Sequence, residues 1–329
     1  MTDLESIRPF ADGDLDALLA LRARCFDGLD VDRERARRRW AFADNPARID
    51  GVPSAWIAEL NGEIVGTYGM MPARVFLDGV ATAAICGVDF CVAPELRGRG
   101  LGRRLTGAMV ETAGSRFRFI TSPTAATTAL MKERGAGVVD AASEGALFAK
   151  GPPFDGSPAV DGIEVRPMTS FGPECDAFAA RLAPHHRFVT VRDAAYLRWR
   201  YLGDPFIEHA VFGAFAADGS LRGLAALSES PTEPQGYVAE LAVTPDDGAC
   251  ARALLASLFG AARERGLQAL FALERRRSLQ PVLTDLGFHA MPHGAPEPVL
   301  MLREGTADPG DWLLSPGDGD FLFRIGSAG

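Results

Sequence analysis

The chain has 329 residues, enough for roughly two domains of ordinary size, and an apolar content of 47% that can fill real cores. Its net charge of −9 has the wrong sign for a nucleic-acid partner, whose usual footprint is a basic face. Met1-Thr2-Asp3-Leu4-Glu5 lacks the basic and apolar regions of a signal peptide, and no apolar run reaches the roughly 20 residues that span a bilayer, so a soluble cytoplasmic protein without a membrane partner is expected.

In chain order, Ile7-Arg8-Pro9 opens a short strand followed by a helix. The run Arg33 to Arg39 reads as a solvated helix face and leads into Arg39-Trp40-Ala41-Phe42-Ala43-Asp44-Asn45-Pro46. Asn61-Gly62 lies between apolar alternations and signals a type I′ hairpin. An apolar strand then ends in Val88-Asp89-Phe90-Cys91-Val92-Ala93-Pro94 and passes through Arg97-Gly98-Arg99-Gly100-Leu101-Gly102-Arg103 into a helix with Leu101, Leu105, Met109 and Val110 on one face.

That glycine turn has the chemistry of a pyrophosphate cradle. Glycines permit positive φ and close approach, the first turn of a helix offers unpaired N–H donors, and the flanking arginines add charge-assisted hydrogen bonds. Spacing narrows the ligand. A dinucleotide fingerprint would need glycine at 103, which is Arg103, and a P-loop would need a lysine after its last glycine, which is absent.

After the turn-rich linker Gly151-Pro152-Pro153-Phe154-Asp155-Gly156-Ser157-Pro158, the pattern repeats. Ile7-Arg8-Pro9 recurs as Val165-Arg166-Pro167, and Arg39-Trp40 as Arg198-Trp199 within a shared R-W-x-aromatic-x-x-Asn/Asp-Pro frame. Asn61-Gly62 recurs as Asp218-Gly219, read as a second type I′ signal, and Val88-Asp89 as Ala239-Glu240. The offset falls from 159 residues (Arg39 to Arg198) to 151 (Val88 to Ala239), as two copies of one unit with unequal loops would give. After Pro245, however, come Asp246 and Asp247 in place of the arginine and the glycine pair. Trp40, Trp199 and Trp312 read as packing anchors. Arg275-Arg276-Arg277 reads as a solvated face. The five cysteines form no C-x-x-C pair and read as reduced core residues, with neither a disulfide framework nor a metal site.

The strand, Pro94, Arg97-x-x-Gly100-x-Gly102 and the amphipathic helix together resemble the coenzyme A motif of the GNAT N-acetyltransferase superfamily. With the repeat, the resemblance covers nearly the whole chain as a tandem pair. It implies a mixed α/β fold of two GNAT-like domains, each a central mixed β-sheet flanked by helices: a first domain over 1–150, a linker over 151–160, a degenerate second domain over 161–304 and a tail over 305–329. Acetyl-coenzyme A is the implied co-substrate, without metal, bound by Val92, Arg97, Gly98, Arg99, Gly100, Leu101, Gly102, Arg103 and Thr124 in the first copy only. A small-molecule, sugar or peptide amine is the implied acceptor, and the assembly a monomer or homodimer.

The implied reaction is direct attack of the amine on the thioester, with the oxyanion received by a backbone N–H at Cys91 or Val92. Residues 1–150 contain no histidine, so a base there is a carboxylate or a water chain, and Asp89 is the candidate on an otherwise apolar strand. The family's usual acid, a tyrosine in the helix after the fifth strand, is replaced by Met131, with Leu283 in the second copy. Water or a hydroxyl of Ser122, Thr124 or Thr127 then protonates the thiolate; otherwise the chain is a non-catalytic acyl-coenzyme A-binding module.

Overall fold

The computed structural model describes residues 6–121, 123–139, 147–151, 160–230, 233–291, 299–301 and 312–319. Ser122 and most of the expected tail lie outside them. β1 (Ser6–Pro9) leads to α1 (Leu15–Cys25) and α2 (Val31–Arg38), whose N-cap Asp30 accepts from Arg33 N at 3.0 Å. α2 runs into a wide π turn at Arg39–Ala43. A meander follows of β2 (Ala55–Leu60), β3 (Glu63–Leu77) and β4 (Val80–Val92). Asn61-Gly62 and Asp78-Gly79 close its two hairpins with positive φ at both positions, as a type I′ turn requires. Then come α3 (Leu101–Ala113), β5 (Phe117–Ile120), α4 (Ala125–Lys132), β6 (Gly137–Val139) and β7 (Leu147–Gly151).

The second half repeats this order. β8 (Glu164–Pro167) and α5 (Pro173–Leu182) are followed by β9 (Phe188–Thr190) and α6 (Ala194–Leu197), which enters a second π turn at Arg198–Leu202. β10 (His209–Phe215), β11 (Leu221–Glu229) and β12 (Gln235–Ala242) form the meander; α7 (Gly248–Glu264), β13 (Ala269–Glu274) and α8 (Gln280–Asp285) come next. β14 (His289–Ala290), β15 (Val299–Met301) and β16 (Trp312–Leu313) complete the set. The expected type I′ turn at Asp218-Gly219 is replaced by a wider loop. Only Gly219 has positive φ, Ala216 N bonds Ser220 O at 3.0 Å, and the Asp218 carboxylate takes Ser220 N–H at 2.9 Å.

Each copy is a mixed sheet flanked by helices, but the sheets exchange strands. The first runs β1-β2-β3-β4-β5-β15-β6, and the second β14-β7-β13-β12-β11-β10-β8. β7 leaves the first half to pair antiparallel with β13, while β15 leaves the second half to sit between β5 and β6. A division drawn at residue 150 therefore cuts through a strand of the second sheet, because alternation identifies a strand but not its partner.

The repeated tryptophans meet at the join. Trp40 and Trp199 stack with centroids 4.5 Å apart and planes 12° from parallel. Each indole N–H donates to the other's carbonyl, at 3.0 and 2.9 Å. This reciprocity is what a twofold relation between equivalent residues produces. The segment after β15 also binds the join: β16 runs parallel to β9, which pairs with the far end of β3, and Trp312 is buried against Phe188. Arg192, fully buried, fastens that segment with bonds to Glu240 and Asp318 at 2.8 Å and to Ser315 at 3.0 Å.

Candidate active site

The strand that carries the site is long, bent and half-released from its neighbours. β4 pairs along β3 from Val80 to Val92, but its register slips where Asp89 and Phe90 oppose Tyr68 alone. This is a bulge, and Asp89 occupies it with φ +55°. On its other side β4 pairs with β5 only from Ala84↔Phe117 to Cys86↔Phe119. Beyond that point the two parallel strands part. Ala93 N donates to Val65 O at 2.9 Å, so by antiparallel alternation Cys91 turns its backbone toward β3 while Val92 turns its N–H and C=O into the gap. Of the two expected oxyanion donors, only Val92 is therefore aimed where a thioester could lie. Cys91 faces Thr67.

At the open end of the gap stands the glycine turn. Gly98 and Gly100 have φ of +77° and +83°, and Gly100 is the N-cap of α3 with no side chain capping the helix. The first-turn N–H groups are left for an outside acceptor, and 13 helical residues stand behind them. Leu101, Leu105 and Met109 are buried and anchor the helix on the sheet. Gly102 has a packing reason of its own: a Cβ there would lie 3.1 Å from the Phe90 ring and 3.2 Å from Leu130. Arg97 is extended, and its Nε donates to Val92 O at 3.2 Å, which ties the turn to the strand end. Arg99 is exposed. Arg103 is also exposed and paired with Glu133 at 3.0 Å. Thr124 is the N-cap of α4, its hydroxyl taking Thr127 N–H at 3.2 Å.

The second copy provides a comparison within the same molecule. β12 bulges and leaves β13 after Tyr237↔Phe271, so the gap is reproduced. It is filled from within: Arg276, 4% exposed, donates to Val243 O at 3.0 Å and Leu241 O at 2.7 Å while pairing with Glu274 at 2.7 Å. At the head of α7 the Asp247 carboxylate accepts from Cys250 N at 3.0 Å. A negative charge of the chain's own thus occupies the helix terminus that is open in the first copy.

The candidate base lies in an unsuitable setting. Asp89 is buried, and Arg37 Nη2 approaches both of its carboxylate oxygens at 2.6 Å, with Arg22 at 3.2 Å. Glu34 pairs with the same two arginines, at 2.6 Å to Arg37 and 2.9 Å to Arg22. Burial alone would raise the Asp89 pKa, but Arg22, Arg37 and Arg38 together hold it well below the usual carboxylate range. A carboxylate so committed is a poor proton acceptor. This corrects the expectation of Asp89 as base and assigns it to the packing of α1 and α2 on the bulge. The arginine runs read as solvated faces are corrected too: Arg37, Arg38, Arg275 and Arg276 are all buried. The signal available was Glu34 and Arg37 at i, i+3, a pair that can neutralise itself inside a core. Arg38 lies over the rings of Phe10 and Phe42, and burial lowers its pKa to about 10.

Cys25, at the end of α1, is the residue sequence reasoning missed at the gap. It is half-buried, its Sγ is 3.6 Å from Val92 O, and its thiol is lowered to about 7, chiefly by a hydrogen bond from Cys91 and then by Arg97 and Arg22. The Cys91 thiol is pushed well up by the same contact and by burial. Met131, in the place of the tyrosine acid, is fully buried and inert. Among the described residues no group of three metal-ligating side chains occurs, and no helix is long and apolar enough to cross a membrane.

The family model described as an acetyltransferase (GNAT) domain matches residues 6–139. The chain is similar in structure to a GCN5-related N-acetyltransferase from Kribbella flavida, at 20% identity and a TM-score of 0.63 over 91% of this chain and 70% of that one. It is also similar to a tandem GNAT protein from the clavulanic acid biosynthesis pathway, at 18% identity and 0.56 over 92% and 99%. A third likeness is to Saccharomyces cerevisiae N-myristoyltransferase with bound myristoyl-CoA, at 11% identity and 0.57 over 92% and 83%. No curated protein matches the chain. Residues 6–139 match the model of a GNAT acetyltransferase domain, and the chain as a whole has the fold of the tandem GNAT protein it resembles.

Proposed function

We propose that the chain is an acetyl-coenzyme A-dependent N-acyltransferase for a small-molecule, sugar or peptide amine, acting in the cytoplasm through the first copy alone. The observation that carries this reading is the uncapped head of α3 behind Gly98 and Gly100, set beside the gap-facing backbone of Val92. The pyrophosphate would be held by the amides from Gly100 to Arg103, with Arg97 and Arg99 supplying charge, and Thr124 would border the arm from the α4 side. Arg103 would have to leave Glu133, an exposed pair worth little, to take part. The thioester would lie along β4, and the Val92 N–H would receive the oxyanion as the amine adds. With Asp89 committed to arginines, the ammonium proton leaves to water, and water or the exposed Thr124 hydroxyl returns one to the thiolate. Arg276 and Asp247 close the second copy to the same ligand, which leaves it the tasks of packing and of bordering the acceptor.

Calorimetry with coenzyme A on the wild type and on Gly100→Asp tests the site. Binding near one equivalent that is lost in the variant supports it, and equal binding to both refutes it. A second reading, a non-catalytic acyl-coenzyme A-binding module, is favoured by the inert Met131 and the engaged Asp89. It prevails if acetyl-coenzyme A binds but no free thiol is released across a broad amine panel.

A further inference from the structure

The gap between β4 and β5 has a root as well as a mouth, and one side chain closes it. Gly87 is the first β4 residue past the last β4–β5 pair. A Cβ at Gly87 would lie 2.4 Å from the Tyr68 hydroxyl oxygen and 3.1 Å from Ile120 Cγ1. The Tyr68 hydroxyl, reaching over from β3, therefore stands directly above the point where the strands part, beside the end of β5. Only glycine at 87 leaves room for it. Tyr68 is 1% exposed, its ring lies 5.1 Å from that of Phe90, and it belongs to the same buried cluster as Leu105, Met109, Met131 and Ile120. A core at native density does not yield to extra methylenes without moving side chains out of their rotamers.

We propose that Tyr68 is the residue that sets acyl-chain length, confining the site to short acyl groups. The proposal rests on the reading above that the thioester lies along β4. With the pyrophosphate at the head of α3, the arm enters at the mouth, and whatever follows the thioester carbon points down β4 toward Gly87. A two-carbon acyl group stops short of the root. A longer chain runs into the Tyr68 hydroxyl and Ile120, and both are buried in one packed cluster that leaves them little room to turn aside.

The test is the affinity of coenzyme A and of its acetyl, butyryl and octanoyl thioesters for the whole chain, measured by calorimetry with no acceptor present. The wild type should bind octanoyl-coenzyme A at least about tenfold more weakly than the acetyl thioester. Tyr68→Ala should strengthen octanoyl binding about tenfold or more while changing acetyl binding less than about threefold. Tyr68→Leu, which keeps the space partly filled, serves if the alanine variant does not fold, and should fall between the two. Equal acetyl and octanoyl affinities in the wild type, or an unchanged ratio in a folded variant, overturn the proposal while leaving the cofactor reading intact. Failure of coenzyme A itself to bind removes both.

Discussion

Replacing Asp89 by Asn separates the two roles this carboxylate could have. Asparagine is nearly isosteric and tolerates the left-handed backbone at φ +55°, so the change removes charge without adding strain. It leaves Arg22, Arg37 and Arg38 facing Glu34 alone, inside a cluster whose side chains are all less than one-tenth exposed. Breaking a buried pair in this way costs about 3–5 kcal/mol, or roughly 4–7 °C in Tm for a chain of this length. The pH dependence has a definite sign. Asp89 titrates below its unfolded value of 3.8, so its contribution is complete at neutral pH, begins to fall as pH approaches that value, and is lost only as pH falls through the lower folded-state value. Urea melts at pH 7 should separate wild type from variant by the full amount, and the difference should shrink steadily below about pH 4. The acid limb of any pH–rate profile should not move, because Asp89 is already ionised throughout the assay range. A loss under about 1 kcal/mol at pH 7, or a flattened acid limb in a variant of normal stability, would refute the structural assignment and restore Asp89 as the base.

Three further outcomes are expected. Cys25 should be the most readily alkylated cysteine, its rate rising through about pH 7 as the thiolate forms and falling when coenzyme A is added; site-resolved mass spectrometry with iodoacetamide would show this, and uniform labelling of the cysteines would contradict it. Trp40→Ala removes the stack and both indole–carbonyl bonds at the join and should cost about 3–5 kcal/mol in thermal or urea melts, with a loss under about 1 kcal/mol counting against the join as described. Arg276→Met strands the buried Glu274, so stability should fall by about 3–5 kcal/mol. Coenzyme A stoichiometry should nevertheless stay near one per chain, because Asp247 still occupies the head of α7, and a second equivalent by calorimetry would disprove that control.

What was legible in the chain was local. Gly98 and Gly100 in sequence report a turn whose geometry depends on those residues alone, and the type I′ pair Asn61-Gly62 behaves as its sterics require. The R-W-x-aromatic repeat announced two copies, and its tryptophans do anchor packing, but that they stack on each other is a property of the assembled pair. The failures share a cause. Arg37 and Arg38 look like solvent-facing charges until the bulge of β4, 52 residues away from Arg37, presents Asp89 to them. Arg276 looks like one of three surface arginines until the carbonyls of Leu241 and Val243 are released by a strand that parts from its neighbour. Cys25 carried no signal, because its lowered thiol pKa arises from Cys91 and Arg97, which are distant in sequence and adjacent only once α1 lies over β4. The partners of β7 and β15 were hidden for the same reason. A run of alternating residues specifies its faces, and only tertiary closure specifies which edge receives it.

The exchange of β7 and β15 bears on what the second copy, with Asp246 and Asp247 in place of the glycine turn, does for the first. Each half completes the other's sheet, so deleting the second would leave β5 and β6 without the strand between them and would leave β7 an unpaired edge in the first. Strand exchange makes each half part of the other's fold, so the second copy serves as scaffold for the first whether or not it binds a ligand.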